Sequence, residues 1–393
     1  MTRSNQLGGK TAIVGIGATE FSKASGRSEM SLACEAVVAA LDDAGLAPSE
    51  VDGFACFGPE TNPEIEIARH TGMGELTFFG RVHHGGGAAA ATIHQAAMAV
   101  TSGAADVVVC YRAFNERSGR RFGAGVQDAP LSATAERAHF NWYSPFGLLT
   151  PASWVAMCAQ RYMHDYGATS EDFGRIAVAD RLHASMNPKA WFYNQAITLE
   201  EHQASRWIAE PLHLLDCCQE SDGGQALIVT SVERAKDLKS TPAVISAVAQ
   251  GAGVDQHMMT SFYRADISQL PEMGTVARQL WEGSGLTTKD IQTAIFYDHF
   301  TPYVLMQLEE FGFCGRGEAK DFIKKGNIEL GGDLPINTHG GQLGEAYIHG
   351  MNGIAEGVRQ IRGTSVNQVA KVEHVLVTAG TGVPTSGLIL GQS

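Results

Sequence analysis

Two histidine–glycine blocks are the first residues whose types and spacing could do chemistry. His84-Gly85-Gly86 is followed ten residues later by His94, after Ile93. His339-Gly340-Gly341 is followed ten residues later by His349, after Ile348. A glycine-rich turn that opens a helix presents backbone N–H groups, here those of Gly85, Gly86 and Gly87, to a developing oxyanion. Metal chemistry is disfavoured: His83-His84 could begin a ligand set, but adjacent residues in such a turn rarely chelate one ion together. The cysteines are Cys34, Cys56, Cys110, Cys158, Cys217, Cys218 and Cys314. They are odd in number, scattered and without a CxxC pair, which reads as a reducing cytoplasm and not as a disulfide framework or zinc site.

These residues need elements to hold them. Thr11 to Phe21 reads as a buried strand running into a turn, and Ser31 to Leu46 has helical periodicity with Asp42 and Asp43 on its polar face. Ala88 to Val100 is a helix of small residues with almost no charge, the pattern of a helix buried all round. Val107 to Cys110 is a short β-branched strand at the centre of a sheet. From Asn115 to about Ala209 aromatics, Arg and His alternate with helical segments such as Trp154 to His164 and Asp172 to Ser185, the pattern of an inserted loop domain. Strand patterning returns at Gln225 to Thr230 and Ala243 to Ala249, and the chain closes with Val375 to Thr378 and Leu388 to Leu390. Each histidine–glycine block leads through a helix to an apolar strand, so the chain reads as a duplication.

Composition narrows the functional class. A length of 393 residues with 44% hydrophobic content supports more than one folding unit with large cores. The formal net charge of −13 argues against a general nucleic-acid or membrane-surface binder. Met1 to Lys10 is polar, and no stretch is long and apolar enough to span a bilayer.

Two duplicated βαβαβ halves with a loop domain in the first resemble the thiolase superfamily over nearly the whole chain. Leu215-Asp216-Cys217-Cys218-Gln219-Glu220-Ser221-Asp222-Gly223-Gly224 is similar to the stretch closing the loop domain in its sterol-carrier-type, lipid-transfer branch. The resemblance implies an α/β thiolase fold with a five-layered αβαβα core. It implies an N-terminal half at 1–255, with the loop domain at about 115–220, and a C-terminal half at 256–393. The family's catalytic blocks can be located, but their cysteines are absent. Counting back from Ala105-Asp106-Val107-Val108-Val109 puts the nucleophile position at Gly86, and Val82 to Ala91 holds no Cys. The second block reads Tyr297-Asp298-His299-Phe300. In the third, Tyr347 takes the place of the catalytic His, and the C-terminal Cys block has become Thr378-Ala379-Gly380-Thr381-Gly382. A Claisen condensation needs an acyl-thioester on a thiolate and a second thiol to move the proton, so thiolase chemistry is excluded.

The two tyrosines at these positions are similar to those of the steroid side-chain aldolases of the lipid-transfer type. That resemblance implies retro-aldol cleavage of a β-hydroxyacyl-CoA steroid, of the 17-hydroxy-3-oxo-pregnene-20-carboxyl-CoA type, to a 17-keto steroid and propionyl-CoA. Tyr347 is expected as base and Tyr297 as acid or oxyanion donor. Asp298, His299 and His349 would support them, with Gly85, Gly86 and Gly87 around the enolate oxygen. A phenol has an ordinary pKa of about 10 and serves as a base only where donors or positive dipoles stabilise the phenolate. No Lys falls in these blocks, which disfavours a Schiff-base aldolase. CoA enters as part of the substrate, and no separate cofactor or metal is expected. The resemblance further implies a homodimer associated with a zinc-ribbon/OB-fold acyl-CoA-binding partner; an apolar strand such as Val107 to Cys110 suits pairing between protomers. The other readings are a non-catalytic acyl-CoA or lipid carrier with a degenerate site, and an aldolase for a different acyl-CoA side chain.

Overall fold

The computed structural model describes residues 7–83, 85–119, 121, 140–257 and 261–393. The strands are β1 (Thr11–Ala18), β2 (Gly53–Phe57), β3 (Phe78–Val82), β4 (Val107–Asn115), β5 (Trp207–Ala209) and β6 (Leu212–His213). They continue with β7 (Asp222–Ser231), β8 (Ala243–Gly251), β9 (Thr293–Ile295), β10 (His374–Thr378) and β11 (Thr385–Gly391). Except for the β5–β6 ribbon, they join in the order β3-β2-β4-β7-β1-β8-β11-β10-β9.

That order is a palindrome in direction. β2 lies parallel to β4, and β4, β7 and β1 alternate antiparallel. In mirror sequence β9 lies parallel to β10, and β10, β11 and β8 alternate antiparallel. A parallel bridge from Ala294 to Ile336 stands where a mirror partner of β3 would be. The strands of the two halves pair where Ala12 faces Val244 and Ile13 faces Ala243.

Three cores separate five layers. The helix Glu29–Ala44 covers β1, β4 and β7 on one outer face, over a core that includes Val14, Phe54 and Tyr111. The helices Ala89–Ser102 and Met351–Arg362 fill the middle, between Val108 and Leu227 of one half and Ile295 and Val377 of the other. Pro271–Ser284 and Thr301–Glu310 cover the second outer face over Phe296 and Ile389. This is the thiolase arrangement expected from the sequence. Pro151–Tyr166 and Ser170–Met186, from the segment read as a loop domain, pack into the same outer core. Among the described residues no helix is long and apolar enough to cross a membrane.

Two expectations need correction. β4 runs nine residues to Asn115, and β2 and β7 occupy both its edges, so its backbone is spent inside the chain and cannot pair with a second copy. The outermost strand of the first half is β3, which pairs with β2 alone among the described residues. The histidine–glycine blocks are also not in equivalent places. Gly86 opens a 3₁₀ turn, Gly86–Ala88, that runs straight into Ala89–Ser102. Gly341 opens a separate short turn, Gly341–Gly344, and the long helix starts only at Met351, after Gly350. His94 therefore lies inside its helix and His349 ahead of its own. The duplication resides in the strand order; His84 itself lies outside the described residues.

Candidate active site

Tyr297 follows β9 with its backbone held on both sides. Its N–H donates to Thr378 Oγ1 (2.9 Å), and Gln307 Nε2 donates to its carbonyl (3.0 Å). Thr378 Oγ1 in turn donates to Gln307 Oε1 (2.6 Å). The ring lies in a slot of three glycines. A Cβ on Gly350 or on Gly380 would come within 2.9 Å of ring carbons, and one on Gly86 would come within 1.7 Å of the hydroxyl oxygen. Gly86 is, within a residue, where the sequence places the missing nucleophile, and a side chain there would claim the space of the Tyr297 hydroxyl. The Gly380 N–H donates to the Gly86 carbonyl (3.1 Å) and closes the slot.

Tyr347 lies between the Gly341–Gly344 turn and the long helix of the second half, its N–H donating to Ser221 Oγ (3.0 Å). The two phenol oxygens are 3.1 Å apart, one donating to the other. Tyr297 is buried, whereas Tyr347 keeps part of its surface open. Burial pushes both phenols well above their ordinary value. Cys218 and Glu116 add to the effect on each, and Asp298 acts further on Tyr297. Both are therefore neutral hydroxyls at neutral pH.

The supporting residues divide by what they touch. Asp298 accepts the N–H groups of Gln342 (2.9 Å) and Leu343 (3.1 Å) and fills the hollow of Gly341, so it shapes the loop that carries Tyr347. Burial and Asp298 hold the neighbouring Asp180 well above the usual carboxylate range. His299 stacks edge-on to Tyr297 with ring centres 4.8 Å apart; burial lowers it to about 4 and keeps it neutral. His349, in a left-handed backbone conformation (φ 49°), lies 4.7 Å from the Tyr347 ring. Arg112 Nε donates to its Nδ1 (3.3 Å), which leaves the ring proton on Nε2, the nitrogen facing Gly85. Gly85, Gly86 and Gly87 form the turn into Ala89–Ser102, where Ser386 Oγ accepts the Ala91 N–H (3.0 Å) and donates to the Gly87 carbonyl (2.6 Å).

Several residues of this neighbourhood could not be read from the sequence. Arg112 forms a buried ion pair with Glu60 (3.2 Å) and lies over the Phe114 ring at 4.0 Å. Lys23 donates to Gln219 Oε1 (2.7 Å) and to the Glu220 carbonyl, and burial lowers it to about 8. Ser221 stands beside Tyr347, and the charge of Glu116 acts on its phenol. Cys218 is the thiol nearest this chemistry, but burial and surrounding acids push it well above its ordinary value. Burial raises the other six thiols too, so none is a thiolate at neutral pH. Among the described residues no group of three His, Cys, Asp or Glu is placed to hold a metal ion.

Residues 11–234 match the family "Thiolase, N-terminal domain" and residues 251–392 "Thiolase C-terminal domain-like". The chain is 69% identical to the "Steroid side-chain-cleaving aldolase" of Thermomonospora curvata, over 98% of each chain. It is 66% identical to the "17-hydroxy-3-oxo-4-pregnene-20-carboxyl-CoA lyase" of Mycobacterium tuberculosis, over 98% of this chain and 100% of that one. The solved structure "Ltp2-ChsH2(DUF35) aldolase" superposes with a TM-score of 0.94 at 68% identity, over 98% of each chain. A monomeric SCP2-thiolase-like protein of Mycobacterium smegmatis, at 20% identity and a TM-score of 0.74, shares the fold; the match covers 98% of this chain and 78% of that one. The chain belongs to the thiolase superfamily and, within it, to the steroid side-chain-cleaving aldolases, carbon–carbon lyases built on a thiolase fold.

Proposed function

We propose that this chain cleaves a 17-hydroxy steroid carrying a CoA-thioester side chain, of the 17-hydroxy-3-oxo-pregnene-20-carboxyl-CoA type, into a 17-keto steroid and propionyl-CoA. One observation carries the reading: two phenol oxygens 3.1 Å apart occupy the space beside a glycine that stands in place of a nucleophile. Tyr347, the more open of the pair, takes the proton of the tertiary alcohol. The carbon–carbon bond then breaks towards the thioester, and its electrons become a CoA enolate. The Gly85–Gly87 turn, at the start of a buried helix, offers N–H groups to the enolate oxygen. His349 Nε2 faces the same turn. Tyr297 protonates the enolate carbon. CoA belongs to the substrate, and the scheme needs no other cofactor.

The solved relative combines two components in its name, which supports association of this chain with a DUF35-type partner of zinc-ribbon/OB-fold form that binds acyl-CoA. A homodimer belongs to the same reading, with the edge of β3 left unpaired among the described residues available for pairing.

Tyr297→Phe and Tyr347→Phe test the mechanism. Each removes a hydroxyl and keeps nearly all the volume, so melting and partner binding should stay near normal, with a loss of about 1 kcal/mol at most. General acid–base groups contribute roughly a hundred- to ten-thousand-fold in rate. For the base, kcat should fall at least about a hundredfold with a 17-hydroxy steroid-CoA. Near-normal cleavage by both variants would make these tyrosines pocket lining and take away the main support for the tyrosine mechanism.

A further inference from the structure

Glu116 is the first residue beyond β4, and the tyrosine scheme leaves it unused. It is 2% exposed, and its neighbour Asn115 pairs with Asp222, which sets Glu116 beside Ser221. Its Oε2 is buried with no hydrogen-bond partner among the described residues. A buried polar atom in that condition is a standing cost to the fold, which calls for another role. Ser221 is also the residue whose Oγ accepts the Tyr347 N–H (3.0 Å), so the residue beside Glu116 across the strands holds the backbone of the proposed base. The backbone on either side is clamped. The Asn115 N–H donates to Glu29 Oε1 (2.9 Å), and the N–H groups of Arg117 (2.8 Å) and Ser118 (3.0 Å) donate to Asp222 Oδ1. The charge of Glu116 acts on both phenols and on the Cys218 thiol.

The chemistry needs such a group. A neutral phenol cannot take a proton from an alcohol unless it hands its own proton on. We propose that Glu116 receives that proton: as Tyr347 Oη takes the hydroxyl proton of the substrate, the proton already on Tyr347 passes to the Glu116 carboxylate over one water. Glu116 acts through Tyr347 and is a positioning residue, and the inference rests on the aldolase reading above. The electrons of the broken O–H bond form the ketone, and those of the carbon–carbon bond form the enolate, whose carbon takes the Tyr297 proton. The proton on Glu116 then returns through Tyr347 to Tyr297 across the 3.1 Å contact. The net change is one proton moved from oxygen to carbon.

The environment suits the task. Burial and the nearby Glu220 push the Glu116 carboxyl up to about 9, against the opposing pull of Arg112, the Ser221 N–H and Lys23. A carboxylate of that proton affinity is a much stronger base than an exposed one. About one molecule in a hundred carries it at pH 7, and the fraction grows roughly tenfold per pH unit until it levels. kcat/KM should therefore climb with pH and flatten near 9. Lys23, lowered to about 8, loses its proton in the same window, so the profile of the unaltered protein does not by itself assign the limb.

Glu116→Gln assigns it, because the amide keeps the size and polarity of the side chain while the group cannot take a proton. The complex with its partner is assayed with a 17-hydroxy steroid-CoA from pH 5.5 to 9.5, and melting is followed in parallel. The expected result is a folded protein whose kcat/KM at high pH falls at least about a hundredfold and no longer climbs. Glu116→Asp should restore part of the rate, with its limb at a different pH. A Gln variant with the unaltered profile overturns the inference, and so does one that loses rate equally at every pH and keeps the limb. Should the Gln variant not fold, an unmoved limb in the Asp variant overturns it equally. If the tyrosine variants are inactive and Glu116→Gln is fully active, only this inference falls; if the tyrosine variants are active, the aldolase mechanism falls first.

Discussion

Replacing Gly86 with alanine puts a methyl group where the Tyr297 hydroxyl already is. The new carbon would stand 1.7 Å from Oη and 2.3 Å from Cζ, roughly half the distance at which such atoms rest against each other. The ring has little room to retreat, because Gly350 and Gly380 close on its edges and the Tyr297 backbone is held by Thr378 and Gln307. Two effects of opposite sign compete. The Gly86 backbone is not in the left-handed region, so alanine should gain about 0.4–1 kcal/mol by narrowing the unfolded ensemble. Overpacking a tight interior costs about 1–3 kcal/mol, occasionally more, and wins. Tyr297→Ala, which costs about 3–5 kcal/mol alone, empties the slot; in that background Gly86→Ala should become neutral or stabilising. Urea unfolding of the wild type, both single variants and the double variant gives the coupling, expected at about 1–3 kcal/mol. Equal effects of Gly86→Ala in the two backgrounds would refute the claim that glycine and tyrosine share one space.

Arg112→Met should destabilise by about 3–5 kcal/mol, since it leaves Glu60 buried without its counter-charge; urea unfolding measures this, and a loss under 1 kcal/mol would mean that the pair is dispensable. Iodoacetamide at neutral pH should cause no loss of turnover traceable to an active-site adduct, because every thiol is protonated; mass spectrometry of inactivated protein checks this, and an acyl or alkyl group on Cys218 that tracks lost activity would contradict it.

Much of this was legible in the sequence where one pattern decides it. Val107–Asn115 and Thr385–Gly391 are buried on both faces, so their apolar runs identify them. Tyr297 and Tyr347 were found because they stand in aligned blocks. What escaped depends on register and on distance along the chain. The match of His84/His94 to His339/His349 looked like a repeat because glycine-rich turns open helices in both halves. Nothing local tells a turn joined to its helix from one that stands apart from it. Glu116 carries no motif; its meaning comes from Ser221 and Tyr347, more than a hundred and two hundred residues away, brought together by pairing of Asn115 with Asp222.

The place of β1 in the sheet has a consequence for how the protein is made. Thr11–Ala18 leaves the ribosome about two hundred residues ahead of its partners, Asp222–Ser231 and Ala243–Gly251. At about 5–20 residues per second, the intervening two hundred residues take roughly 10–40 s to synthesise. During that wait an apolar ribbon with two bare edges invites aggregation. The helix Glu29–Ala44 emerges soon after and packs so closely that a Cβ on Gly15 or Gly17 would lie 2.2 Å from its backbone. Those two glycines let a nascent chain cover its most hazardous strand with the nearest helix, long before the sheet that needs the strand exists.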